Sequence, residues 1–424
     1  MSRRINLELT STQLSNGLTV LVQPDHRTPV FSFQTWVRAG SASDPSHRTG
    51  MAHLFEHLMF KGTRTVPEGE FDRLVEEMGG RTNAATWLDW TQFYVDAPTA
   101  SFQDVVDLEF DRITNLAIDV DSLETEREVI LNERGERVDD DPDGMMSERL
   151  WHMVFDDEPY GQPTIGWEKH IRVIDVADCE RFYSRWYTPE HILIVVAGDI
   201  DPQNAIETIR RSYGTLERAP QIPAPVRETV FAPLEARTEH VEIATGGERL
   251  LIGYRAPAGT LQDSAALEML NEILFVGDSS RGERTLVTES EVAAGVYGFV
   301  ATLRQIGLYE IGVDCRPGRT AVDALHLIDQ LFNQVRQEGI AQSELLKARN
   351  RIEMRLYKEL QTAQSRAQAL GYWGVVANDP EHLFERAERL SEVELADLMR
   401  VVNTWLKPNE RMIVHGHPIE EEAV

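Results

Sequence analysis

The stretch Gly50-Met-Ala-His-Leu-Phe-Glu-His-Leu-Met-Phe-Lys-Gly-Thr63 decides how the rest of the chain is read. No proline and no internal glycine interrupts Met51 to Phe60, and Met51, Leu54, Phe55, Leu58 and Met59 recur at spacings of three and four. That pattern predicts a helix packed on a core. Residues four apart share a helix face, so His53 and His57 project side by side. Two imidazoles on one face are half of a zinc site, and Glu56 stands close enough to take a proton from water at such a centre. The order His-x-x-Glu-His inverts the commoner His-Glu-x-x-His. The competing reading is a pair of surface histidines that bind nothing, because five-residue patterns arise by chance. The rest of the chain has to decide.

Working outward, Asn16-Gly17 reads as a turn into a strand from Leu18 to Val22, and Val30 to Val37 as a second strand rich in Phe, Trp and Val. A polar, glycine-containing segment, 39–49, leads into the histidine helix. Beyond it, Phe71 to Met78 reads as a helix stopped by Gly79-Gly80, and Thr91 to Ala97 as a strand. Phe102 to Leu116 and Ser122 to Val138 read as amphipathic helices, with Asp139 to Gly144 a plain turn after them. Ile192 to Val196 is a buried strand. The segment Thr215 to Ala236 carries Pro220, Pro223, Pro225 and Pro233 with little periodicity and reads as a linker.

The second half repeats the first. Arg249-Leu-Leu-Ile-Gly-Tyr followed by a helix from Ala265 to Phe275 parallels the strand Phe31 to Gly40 followed by its helix. Trp405-Leu-Lys-Pro-Asn-Glu-Arg-Met-Ile-Val-His-Gly echoes Trp186-Tyr-Thr-Pro-Glu-His-Ile-Leu-Ile-Val-Val-Ala-Gly. The fold class expected is therefore α+β: two homologous domains, each a mainly antiparallel sheet faced by helices. Their bounds are 1–214 for the metal-bearing domain, 215–236 for the linker and 237–424 for the second domain. Aligning Ala52–Thr63 with Leu267–Asp278 puts Glu268, Asn271 and Glu272 where the first copy has His53, Glu56 and His57, so the second copy has no metal site.

Bulk properties agree with this outline. At 424 residues the chain is too long for one ordinary core, and its 42% hydrophobic content is that of a globular protein. No apolar run is long enough to span a bilayer, and two arginines near the start have no apolar stretch behind them, which predicts a cytoplasmic protein. A formal net charge of −28 disfavours nucleic acid and anionic membrane as partners. It fits either the attraction of cationic peptides or a plain acidic, solvated surface. Cys179 and Cys315 read as buried free thiols.

A catalytic zinc usually has three protein ligands and an open position. The segment Glu124-Thr-Glu-Arg-Glu-Val-Ile-Leu-Asn-Glu-Arg offers carboxylates, with Glu126 and Glu133 seven apart and so on one face. One could bind metal while the other orients a histidine. Helix geometry alone leaves Glu124, Glu126, Glu128 and Glu133 open, and a charged helix surface remains the bland alternative.

His53-Leu-Phe-Glu-His57, Phe60-Lys-Gly-Thr, Gly79-Gly-Arg-Thr-Asn-Ala, Glu126-Arg-Glu-Val-Ile-Leu-Asn-Glu133 and the duplication together resemble the pitrilysin/insulinase family of inverted-motif zinc peptidases. In size the chain is similar to the short two-domain members, such as mitochondrial processing peptidase subunits and bacterial relatives. The resemblance implies Zn2+ held by His53, His57 and Glu133, Glu56 as general base and Glu126 as the carboxylate behind a ligand histidine. It also implies that Asn83 and Ala84 lie on an edge strand that pairs with an extended peptide substrate, a mode with little sequence dependence.

One departure matters. Self-sufficient members carry an Arg and a Tyr seven residues apart in the second domain, and the matching positions here are Val287 and Ala294. The resemblance then implies a zinc-bearing subunit whose partner, a homologous chain in a heterodimer or a second copy, completes the site. The rival reading is a non-catalytic scaffold or peptide-binding subunit, and a third is a zinc hydrolase of non-peptide substrates. Trp87 and Trp90 could line a substrate pocket, although core packing is the safer reading.

Overall fold

Strand order explains why some apolar runs are continuous and others alternate. The computed structural model describes residues 7–218 and 231–419, so the prolines at 220, 223 and 225 of the expected linker lie outside the described residues. The strands β1 (Thr10–Gln13), β2 (Thr19–Pro24), β3 (Val30–Val37), β4 (Arg81–Thr86), β5 (Thr91–Pro98) and β6 (Ile192–Gly198) form one sheet in the order β1-β2-β6-β3-β5-β4. A second sheet, in the order β7-β11-β8-β10-β9, contains β7 (Arg237–Ile243), β8 (Arg249–Ala256), β9 (Ala293–Val300), β10 (Gly307–Cys315) and β11 (Met412–Pro418). Without β1 the two orders correspond strand for strand. In each, the first pair (β2 with β6, β7 with β11) is parallel and the others are antiparallel. The duplicated α+β architecture expected from the sequence is present down to its pairing pattern.

The helices of the first half are α1 (Met51–Leu58), α2 (Glu70–Glu77), α3 (Phe102–Thr114), α4 (Val120–Arg134), α5 (Pro142–Phe155), α6 (Glu168–Ile171), α7 (Val176–Trp186) and α8 (Pro202–Tyr213). All but α5 pack on one face of the first sheet, against Val20, Phe33, Phe93, Ile194 and their neighbours. In the second half α9 (Gln262–Leu274), α10 (Ala321–Glu338), α11 (Gln342–Glu359), α13 (His382–Glu392) and α14 (Leu395–Trp405) cover Ile252, Tyr254, Tyr309 and Ile311 of the second sheet, with α12 (Ala363–Val376) set apart from them.

The two exceptions cross over. From the first half, α5 lays Met146, Leu150 and Val154 on Val241, Leu251, Leu308 and Val414, the other face of the second sheet. From the second half, α12 lays Ala367, Leu370 and Trp373 on Leu21, Trp36, Leu193 and Val195, the other face of the first. Both faces of β6 are therefore buried, which is why Ile192 to Gly198 reads as an unbroken apolar run. One sheet belongs to each half of the chain, whereas packing interlocks the halves.

The segment expected to be a plain turn, Asp139 to Gly144, is instead a helix junction. The α4 helix passes into a π-helical turn, Gly135–Asp139, and α5 starts at Pro142, with Asp141 accepting from the Gly144 N–H at 2.9 Å. Proline suits a first helical turn and Asp suits a cap, so the residues that signal a turn here open a helix.

Close packing of α12 on the first sheet rests on Gly371, where an added Cβ would collide with the Trp36 indole. The substitution Gly371→Ala should lower stability by about 1–3 kcal/mol, as overpacked cores do, read as a drop in Tm. An unchanged Tm would mean that α12 can shift freely across β3.

Candidate active site

The histidine helix begins without a capping residue of its own. Gly50 is in the left-handed region (φ 88°), and the free N–H groups of Gly50, Met51 and Ala52 all donate to the Asp44 carboxylate, at 2.7, 3.1 and 2.9 Å. A carboxylate at a helix N-terminus satisfies these donors and complements the helix dipole. Close backbone contact completes the seat: a Cβ on Gly50 would lie 2.5 Å from the Ile165 carbonyl oxygen, and one on Gly166 2.5 Å from that of Thr49. The apolar residues Met51, Leu54, Phe55 and Leu58 are buried, turning His53, Glu56 and His57 toward α4 and β4. At the end of α4, buried Arg134 binds both oxygens of Glu148 (2.7 and 2.9 Å) and the Gly166 carbonyl (3.0 Å), tying that helix to α5 and to the same loop.

The first centre is built where α1 meets α4. Glu133 Oε2 lies 3.6 Å from His53 Nε2 and 3.4 Å from His57 Nε2, and the two rings are 4.8 Å apart by centroid. Atoms bound tetrahedrally at about 2.0–2.1 Å from zinc are about 3.3–3.5 Å apart, so Glu133 Oε2 stands close to that spacing from both histidine nitrogens. Glu133 Oε2 is buried and makes no hydrogen bond, a group that wants a cation. The other carboxylate on this face, Glu126, meets His57 Nδ1 at 3.1 Å and is steadied by Lys61 at 3.2 Å. Of the four carboxylates that helix geometry left open, packing brings Glu133 and Glu126 to the histidines.

Charge is balanced by proximity. Burial pushes the His53 imidazole down to about 4, with neighbouring His57 adding to the effect. Burial also works to lower His57, but the Glu126 carboxylate bonded to it and the Glu133 carboxylate beside it hold it up at about 9. The same contacts, His57 first, keep Glu126 and Glu133 below the usual carboxylate range. A divalent cation would take over the part played by the His57 proton, and the donor set of two imidazoles and a carboxylate is one zinc accepts. Glu56 differs from the other carboxyl groups: burial raises it, tempered by a hydrogen bond from Thr86.

A cavity of about 830 Å³ opens onto His53, Glu56, His57 and Glu133 and is walled by β4, including Asn83, Ala84 and Thr86. The strand β4 is the last of its sheet, so its outer edge is free for pairing. Trp87 lines the cavity, whereas Trp90 is buried against Trp36 at 5.1 Å beneath α12. Sequence reasoning missed Asp44, Arg134, Gly166 and Arg137. Arg137 lines the cavity and pairs with Glu133 Oε1 at 3.1 Å, a contact its i,i+4 spacing could have signalled.

Residues 19–168 match the family described as Insulinase (Peptidase family M16), and residues 174–352 match its companion, Peptidase M16 inactive domain. The chain belongs to the insulinase family. It is 26% identical to "Zinc protease PqqE" of Helicobacter pylori over 96% of this chain and 92% of that relative. Identity to the mitochondrial-processing peptidase subunit beta of Blastocladiella emersonii is 23%, over 96% of this chain and 88% of the other. The crystal structure of a protease from Helicobacter pylori superposes with a TM-score of 0.93 at 26% identity, covering 97% of this chain and 100% of that one.

Insulinase-family proteins are zinc-dependent, and the donor set at the junction of α1 and α4 fits that metal. In the second sheet of this insulinase-family chain the equivalent helix, α9, has been rewired. Glu268 pairs with Arg386 (2.6 Å), Glu272 with Arg351 (2.7 Å) and Arg355 (2.9 Å), and Asn271 donates to the Gly298 carbonyl (2.9 Å). Of the two positions where the resemblance leads one to expect an Arg and a Tyr, Val287 lies in a π-helical turn and Ala294 is exposed on β9.

The support given by Glu126 can be measured. Glu126→Gln should weaken zinc binding by about 10–100-fold, the usual effect of losing a carboxylate behind a ligand histidine, in a chelator competition titration. Unchanged affinity would remove Glu126 from the site.

Proposed function

We propose that this chain is a zinc-dependent endopeptidase subunit that cleaves extended, unfolded peptides. The observation that carries the reading is the shared cavity, which sets the donor triad and Glu56 against the free edge of β4. In this reading His53, His57 and Glu133 hold Zn2+, Glu126 orients His57, and Glu56 is the general base. Bound zinc supplies Lewis acidity, acidifying water and polarising a peptide carbonyl. Glu56 would accept the proton from the attacking water and deliver it to the leaving amine, a role suited to a carboxyl group raised by burial.

Substrate would add to β4 as a further strand. Pairing there engages the main chain of Ala84 beside the Asn83 side chain, and it would replace the contact that now holds the Ala84 N–H, the Asn83 side-chain oxygen at 2.8 Å. The catalytic unit in this proposal is 1–214, joined by 215–236 to a second unit, 237–424. We place the chain in the cytoplasm, a location supported by two buried, unpaired cysteines. No helix among the described residues is long and apolar enough to cross a membrane.

Because Val287 and Ala294 cannot supply a guanidinium and a phenol, the reading includes a partner. A homologous subunit fits better than a second copy, which would lack the same two groups. The test is hydrolysis of an unstructured fluorogenic peptide by the purified, zinc-loaded chain. Turnover near zero alone, restored by a copurifying homologue, is expected. Full turnover by the chain alone would remove the partner but keep the peptidase. Failure to bind zinc at the junction of α1 and α4 would leave the non-catalytic peptide-binding subunit.

A further inference from the structure

A second cluster of ligand groups stands on the other sheet. His415 and His417 lie on β11, where His415 is buried, and a third histidine joins them. In the parallel pairing of β7 with β11, His240 lies opposite His415, and His417, two residues further on, shares their face. One ring nitrogen of each histidine lies within 4.8 Å of the other two. His240 Nδ1 and His417 Nε2 are 2.8 Å apart, and the His415 ring is 3.9 Å from that of His417 by centroid.

Glu248, just before β8, faces the opposite side of the cluster. Its Oε2 meets His415 Nε2 at 2.7 Å and also accepts the Ala321 N–H at 2.7 Å, while Oε1 lies 3.8 Å from His417 Nδ1. The carboxylate thus occupies one nitrogen of His415 and faces one of His417, leaving His415 Nδ1 and His417 Nε2 as their remaining donors. Carboxylate, imidazole and open nitrogen in that order form the arrangement that orients metal-binding histidines.

We propose that His240, His415 and His417 bind a divalent transition-metal ion of the zinc, nickel or copper type, with Glu248 orienting the last two. Three imidazoles suit these ions rather than calcium or magnesium, which take oxygen ligands. The His240–His417 nitrogens need to open from 2.8 Å to about 3.3–3.5 Å to become ligands of one ion, and the more distant pair to close, both within side-chain motion. The ion would clip β7 to β11. Since β7 is an edge strand, held on one side only by β11, such a clip would pin the edge of the second sheet in place. The site is independent of the proposed peptidase centre, which stands on α1 and α4.

Metal-free full-length protein titrated with zinc, and separately with cobalt for its absorption bands, tests the proposal. Wild type should take up two equivalents. His57→Ala should retain the one at the histidine cluster, whereas His417→Ala and His240→Ala should each weaken that one at least tenfold while zinc uptake at the centre between α1 and α4 stays unchanged. Glu248→Gln should weaken it by about 10–100-fold. The metal-induced rise in Tm that persists in His57→Ala should vanish on adding His417→Ala. A single equivalent in wild type lost with His57→Ala, a second one indifferent to both His240→Ala and His417→Ala, or uptake only at millimolar metal would overturn the proposal.

Discussion

Glu56→Gln should lower peptide turnover by about 10²–10⁴-fold, the usual contribution of a general base, while leaving zinc content the same as in wild type. The expected loss corresponds to about 3–5 kcal/mol of transition-state stabilisation. The physical reason is that the amide keeps the shape of the side chain and the Thr86 contact but cannot accept a proton. The donor atoms that lie together belong to His53, His57 and Glu133 and not to Glu56, so metal binding should not depend on it. Assays need the complete enzyme, with whatever partner it requires, and metal analysis of the same preparation. Turnover within a few-fold of wild type would assign the base elsewhere. Zinc lost with the substitution would make Glu56 a ligand rather than a base.

The second large effect is on the metal. In a chain carrying His417→Ala, so that only the centre between α1 and α4 is counted, a further His57→Ala should abolish zinc binding. It removes one ligand and at once deprives Glu126 of its partner, leaving the Glu126 and Glu133 carboxylates facing a vacated position. Zinc binds only the folded site, so at a hundredfold excess over its Kd it stabilises the parent by about 2.7 kcal/mol. The corresponding rise in Tm on adding zinc should be absent after His57→Ala. A Tm response that survives would place the metal on other residues.

Much of the site was legible because each half of it is local. His53 and His57 lie four apart, and Glu126 and Glu133 seven apart, so helical periodicity alone put each pair on one face. Which of the neighbouring carboxylates meets the histidines was not legible, because that depends on how α4 crosses α1. Resemblance to the family supplied the choice, and the structure places Glu133 3.4 and 3.6 Å from the two histidines. Asp44 escaped notice because it caps α1 from six residues before Gly50, where a cap normally immediately precedes the first turn. The junction at Asp139 to Gly144 was misread since Asp, Pro and Gly serve turns and helix starts alike.

By itself the sequence determined the duplicated plan, the buried strand at Ile192 to Val196, the shared face of His53 and His57 on α1 and the absence of those histidines from α9. Those properties depend on period and residue type within short windows. Only the tertiary structure decided that α5 and α12 cross between the sheets, that Gly50 and Gly166 seat α1 by backbone contact, and that His240 joins His415 and His417. Each of these joins residues more than a hundred positions apart, and no local pattern records which distant surfaces will meet.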